Sequence, residues 1–225
     1  MHTGTGQVLE LILEDGQRLA RISCPADLVP APGQYLLAGA ASSSDPLPVP
    51  LFFTESAPSG FIASAPLTET WLPGQEIALR GPLGRGFELP ATSRKVALVP
   101  CGGLADRLRG LIRLALGQGA AVVLVSDTDG EHLPDEVEVQ PLAALEEVLA
   151  WADYVAFDVE RGKLPGLRER LGQVKQVPAG KEAQVLVRTP VPCGGVAECG
   201  VCALTLKSSL KLACKDGPVF DLREI

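Results

Sequence analysis

From Gln7 to Ile22 apolar and polar residues alternate, with Leu9, Leu11 and Leu13 set against Glu10 and Glu14. Asp15-Gly16 then interrupts the run, a dipeptide suited to a tight hairpin turn, so the stretch predicts a pair of antiparallel strands. Short apolar runs follow, punctuated by "APGQY", "DPLPVPLF", "APSGF", "LPGQE" and "GPLGRGF". None carries a helical stripe long enough to be buried. Regular turns between short strands predict a small antiparallel β-barrel ending near Pro90.

The pattern changes at Lys95. "KVALVP" reads as a buried strand, and "LADRLRGLIRLALGQG" then sets Leu104, Leu108, Leu111, Ile112 and Ala115 at helical spacing, with Gly117 placed to end the helix. "AAVVLVS", "DYVAFDV" and "AQVLVR" predict further strands, with "LAALEEVLA" and "LPGLRERLG" as the helices between them. Strands alternating with helices imply a parallel sheet covered on its faces. The expected fold is therefore β-barrel plus α/β, with a barrel over 1–91, an α/β domain over 92–190 and a cysteine-rich tail over 191–225. Trp71, Trp151, Tyr35 and Tyr154 are expected to be packing residues, because the chain is only 4% aromatic.

Charge and composition narrow the functions. The formal net charge is −7 and no basic stripe interleaved with aromatics occurs, so nucleic acid is not an expected partner. No apolar run approaches a membrane span, and the first residues lack the basic-then-apolar order of a secretory signal; the cytoplasm is the expected compartment. The two histidines, His2 and His132, fall in the N-terminal segment and in a polar loop, which leaves cysteine or a bound cofactor to supply any chemistry.

Four of the six cysteines lie in the last 33 residues. Cys193 and Cys199 are separated by five residues, Cys199 and Cys202 by two, and Cys202 and Cys214 by eleven. Zinc sites usually use two Cys-x2-Cys knuckles, and only Cys199 and Cys202 form one. Three ligands from one loop and a fourth from a distance is the plant-type [2Fe-2S] arrangement, here with one extra residue in the first gap. Gly194, Gly195 and Gly200 suit a loop whose amides must turn toward sulfur. The spacing favours the cluster, with a zinc-stabilised structural module and unliganded thiols as the alternatives. Cys24 and Cys101 stand apart and are expected to be ordinary buried thiols.

The order of a barrel with "PGQY" and "GPLGRGF", an α/β domain, "CGGVAECGVCAL" and "ACKDGPVFDL" resembles the electron-transfer subunit of dihydroorotate dehydrogenase, within the ferredoxin reductase-like superfamily. The resemblance implies a barrel that binds FAD, an α/β domain that receives NADH, and a [2Fe-2S] cluster held by Cys193, Cys199, Cys202 and Cys214. The cluster would pass electrons to an FMN-containing dehydrogenase catalytic subunit of pyrimidine biosynthesis, and the chain itself would carry no catalytic residue. The flavin contacts would fall around Pro50 and Leu51, and the nucleotide contacts at Gly102 and Gly103, where a pyrophosphate would approach a helix N-terminus. Asp127 and Asp129 would be placed for a ribose hydroxyl, although a solvated loop explains them as simply. Two motifs depart from the family. Val49 and Phe52 stand where an arginine and a hydroxyl residue are usual, and "SAPLTETW" at 64–71 replaces a glycine-based phosphate turn. The second expectation is accordingly a relative that has lost FAD and NADH and acts as a cluster-only relay or interaction subunit.

Overall fold

The computed structural model describes residues 2–14, 16–39, 47–64, 67–127, 132–173, 182–207 and 209–225. Six antiparallel strands, β1 (His2–Glu14), β2 (Gln17–Ser23), β3 (Tyr35–Gly39), β4 (Val49–Ala57), β5 (Gly60–Ser64) and β6 (Glu76–Leu83), close into a barrel in the order β1-β2-β5-β4-β3-β6. The expected first strand pair is present, and Gly16 at its turn has φ +73°; Asp15 lies outside the described residues. The inward residues differ from the alternation. The β1–β2 register shifts between Val8 and Glu10, Val8 enters the core, and Leu9 and Leu13 are 41% and 76% exposed. A bulge of this kind reverses the faces of the residues beyond it. The barrel is filled mainly by Val8, Ile22, Leu28, Leu36, Leu51, Phe61, Trp71 and Ile77.

The second sheet runs β14-β11-β10-β7-β8-β9. Its strands β7 (Lys95–Cys101), β8 (Ala121–Val125), β9 (Val137–Gln140), β10 (Tyr154–Glu160) and β11 (Glu182–Arg188) are parallel, and β14 (Val219–Asp221) joins antiparallel to β11. β10 is buried from Tyr154 to Val159, as expected for a parallel strand covered on both faces. Helix α1 (Arg109–Gly117) covers one face; α2 (Leu145–Trp151), α3 (Leu164–Gln173) and the cysteine-rich tail cover the other.

Helix α1 is shorter than its apolar spacing predicts. Residues 105–108 form a turn, in which the Leu108 and Arg109 amides both donate to the Ala105 carbonyl, and the helix begins at Arg109. Gly110 explains how α1 meets the barrel: a Cβ there would lie 2.6 Å from Phe53 Cε1 and 2.9 Å from Pro32 Cγ, so only glycine permits the approach. The tail adds a small hairpin of β12 (Ala203–Thr205) and β13 (Leu210–Leu212), a single-turn helix α4 (Ala213–Asp216), and β14.

Candidate metal centre

The motifs quoted from the barrel and from the tail meet along one seam. Gly84 has φ +75°, and a Cβ there would stand 2.4 Å from Pro218 Cδ, 2.8 Å from the Gly217 carbonyl and 3.2 Å from Tyr35 Cε1. Gln34 Nε2 donates to the Gly84 carbonyl, the Arg85 amide to the Gly217 carbonyl at 2.6 Å, and the Val187 amide to the Pro218 carbonyl. "PGQY", "GPLGRGF" and "CKDGPVF" are thus three strips of one joint, with cis peptides at Gly81-Pro82 and Gly217-Pro218.

That joint carries the cysteine loop. Gly194, Gly195, Ala197 and Gly200 all have positive φ, between 65° and 75°. Glycine takes that conformation freely, whereas alanine does so at a cost of about 1 to 2 kcal/mol. The resulting turns aim backbone amides of Val196, Glu198 and Cys199 at the Cys193 sulfur, and the Val201 amide at Cys199 Sγ, 3.5 Å away. A contact from the Cys199 side chain, followed by these amides, lowers the Cys193 thiol to about 6. Burial does the opposite at Cys214, and with the neighbouring Cys202 pushes its thiol up to about 12. Cys202 and Cys214 are 1% and 5% exposed, whereas Cys199 is open to solvent. The Ala213 amide donates to the Cys202 carbonyl, and Asp216 accepts from the Leu212 amide, which fixes the backbone on either side of Cys214.

The structure therefore brings all four predicted cysteines into one neighbourhood, as two pairs: Cys193 with Cys199, and Cys202 with Cys214. Among the described residues no three His, Cys, Asp or Glu side chains converge as a site for one ion. Two pairs of sulfurs suit a two-iron cluster, which takes two thiolates on each iron, better than one tetrahedral zinc. The donor set and the amides directed at it fit the [2Fe-2S] group.

The barrel closes the other side of this site. Tyr35 is 1% exposed, yet its hydroxyl oxygen has no hydrogen-bond partner among the described residues, and a Cβ on Gly195 would lie 3.3 Å from it. Burial first, then the Cys214, Cys202 and Cys193 thiols, hold that hydroxyl above the ordinary phenol range, while Arg80 pulls the other way. The Arg80 guanidinium also borders the loop, 3.1 Å from where a Gly194 Cβ would stand. Tyr35 packs as expected, but sequence reasoning missed its oxygen. The available signal was a tyrosine directly after "PGQ", in a chain with only two tyrosines.

The residues expected to touch flavin and nucleotide are arranged differently. Leu51 is wholly buried in the barrel, Pro50 is half-buried beside it, and Val49 is aliphatic. The Phe52 ring is covered by the Arg107 guanidinium, 5.5 Å from its centroid, and packs against the Tyr35 ring at 5.6 Å. Val49–Phe52 itself carries no cation for a phosphate, and a nearby one, Arg107, lies over the Phe52 ring.

Gly102 and Gly103 do follow β7, but five residues separate Gly103 from the α1 N-terminus at Arg109. Lys163 Nζ donates to the Gly102 carbonyl, and a Cβ on Gly102 would stand 2.6 Å from that nitrogen. Beneath them Asp158, 2% exposed, bonds Arg188 Nε at 2.7 Å and faces Arg107 Nη1 at 3.6 Å. Asp127 accepts from the Leu142 amide, a loop-fixing role, and Asp129 lies outside the described residues. Cys24 and Cys101 are half-buried rather than fully buried, because each sits at a strand end where the chain leaves its sheet.

Residues 193–225 match the family model described as the iron-sulfur cluster binding domain of dihydroorotate dehydrogenase B. The whole chain is similar in fold to an NADH-dependent reduced ferredoxin-NADP oxidoreductase studied for flavin-based electron bifurcation, with TM-score 0.72 and 16% identity over 97% of this chain and 88% of that one. It is also similar to the ferredoxin reductase of carbazole 1,9a-dioxygenase (TM-score 0.58, 18% identity, 79% of this chain and 65% of that one) and to the Amycolatopsis cytochrome P450 reductase GcoB (0.59, 14%, 83% and 69%). Fold and tail together define a barrel and α/β architecture like that of these reductases, followed by a C-terminal segment that matches an iron-sulfur domain. The family-model match lies wholly in the tail, over the four clustered cysteines. No helix among the described residues is long and apolar enough to cross a membrane.

Proposed function

We propose that this chain delivers electrons one at a time through a [2Fe-2S] cluster to an FMN-containing dehydrogenase catalytic subunit that oxidises dihydroorotate. The carrying observation is the pairing of Cys193 with Cys199 and of Cys202 with Cys214 in the segment that matches the iron-sulfur domain. When bound, the cluster supplies one-electron redox chemistry. The protein's own part is to hold and tune it. The four thiols bind, the 196, 198 and 199 amides favour negative charge on sulfur, and buried Tyr35, Leu37 and Leu204 keep water from the inner side. Cys199, exposed at the rim with Val196 and Val201, marks the side by which electrons would leave.

A second reading rests on Phe52 and Arg107: a cluster relay without flavin or nicotinamide of its own, supplied by another redox protein. Anaerobic purification, with iron, sulfide and acid-released flavin assayed on one sample, tests both. About two irons and two sulfides per chain support the cluster, and a colourless zinc-loaded chain sinks it. Flavin retained with the cluster favours a reductase that accepts NADH directly, whereas a cluster without flavin, even after FAD is added, favours the relay.

A further inference from the structure

We propose that the Tyr35 hydroxyl donates a hydrogen bond to cluster sulfur and thereby sets the reduction potential above the value that the four thiolates alone would give. The inference rests on the iron-sulfur reading and adds a residue from the barrel, outside the segment that matches the iron-sulfur domain.

Three observations carry it. The hydroxyl is buried and lacks a hydrogen-bond partner among the described residues, although buried polar atoms are nearly always satisfied. The ring is fixed where it stands: Gly84 is held close against one edge, and Phe52 packs at 5.6 Å with its plane tilted by 40°, so the oxygen has no route to water by rotation. The oxygen also borders Gly195, inside the loop between Cys193 and Cys199. A phenol hydroxyl donates one proton, and sulfur carrying negative charge is the acceptor that this surrounding lacks. Reduction adds one negative charge to the cluster, so a donor stabilises the reduced form more than the oxidised form and raises the potential.

Tyr35→Phe keeps the ring and removes only the donor. Redox titration of the anaerobically purified chain, followed by electron paramagnetic resonance of the reduced cluster, should show unchanged iron content and a potential moved downward. The expected size is about a tenfold fall in the reduced-to-oxidised ratio at fixed applied potential, about 59 mV for a one-electron couple. Incorporating 3-fluorotyrosine at position 35 makes the hydroxyl a stronger donor and should move the potential upward, a reversal that a merely packing ring would not produce. Iron-loaded proteins whose potentials match the wild type overturn the inference while leaving the cluster reading intact. If Tyr35→Phe fails to hold iron, the fluorotyrosine protein decides alone, a rise supporting the inference and no change overturning it. Wild-type chain that binds no iron removes the cluster reading itself, and this inference with it.

Discussion

Around the cysteine loop, left-handed residues turn backbone amides toward Cys193, and a buried tyrosine oxygen is left without a partner. At the C-terminal ends of β7 and β10, where the strand order reverses and α/β proteins commonly bind ligands, the polar groups face one another instead. There Asp158 is shared by Arg107 and Arg188, and Lys163 occupies the Gly102 carbonyl. Both regions carry glycines. The difference lies in the polar groups: beside the loop a buried hydroxyl has no partner among the described residues, whereas in the crevice carboxylate, guanidinium and ammonium groups meet one another or the backbone.

Removing a cluster ligand should break that contrast most severely. Cys199→Ser is expected to abolish the visible chromophore and cut bound iron about tenfold or more, while Cys24→Ser leaves both at wild-type levels. Iron analysis with the absorption spectrum checks both, and equal iron in the two variants would sink the ligand assignment. In the crevice, Asp158→Asn removes the anion between two guanidinium groups and should destabilise the fold by about 3 kcal/mol in urea denaturation, without changing iron per folded chain. A variant as stable as wild type would mean that the two arginines are held by something else. Gly84→Ala comes next: a positive φ and the collision with Pro218 Cδ predict a loss of about 2 kcal/mol. This variant should also bind iron more weakly, because the same seam carries the loop.

Much of the metal centre was legible because cysteine spacing and glycine are local signals. The 193–202 loop needs left-handed residues, and three of the four it uses are glycines. Ala197 escaped notice because nothing in its identity announces a positive φ. The β/α alternation beyond Lys95 was equally readable, since buried parallel strands are continuous apolar runs. Two features were not local. Leu9 alternates correctly yet faces solvent, because the shift after Val8 depends on pairing with β2. Tyr35 and Cys193 are 158 positions apart and meet only when barrel and tail close on each other. The approach of Lys163 to Gly102 was equally out of reach, because that lysine comes from the turn after β10, 61 positions further along the chain.

The smallest effect should fall on Cys101, which sits in the crevice and not in the loop. Burial, followed by the nearby Asp158 carboxylate, raises its thiol to about 11, although Arg170, Arg188 and Lys163 pull downward. At pH 8 such a thiol holds far less thiolate than an ordinary cysteine, so iodoacetamide should modify it roughly tenfold to a hundredfold more slowly than an unfolded-chain cysteine. A thiol whose folded pKa is raised contributes stability that is complete below its unfolded value near 9. That contribution is lost as pH climbs through about 11, so the crevice should loosen in alkali and not in acid on this account. Asp158→Asn removes one upward push and leaves the three cations, so Cys101 should become more reactive in that variant while Cys24, raised by its own burial and by Asp27, stays slow. Mass spectrometry of the modified peptides over a time course reads both rates. Equal acceleration of Cys24 and Cys101 would point to general loosening, whereas acceleration of Cys101 alone would show that the Asp158 carboxylate itself holds the Cys101 thiol up.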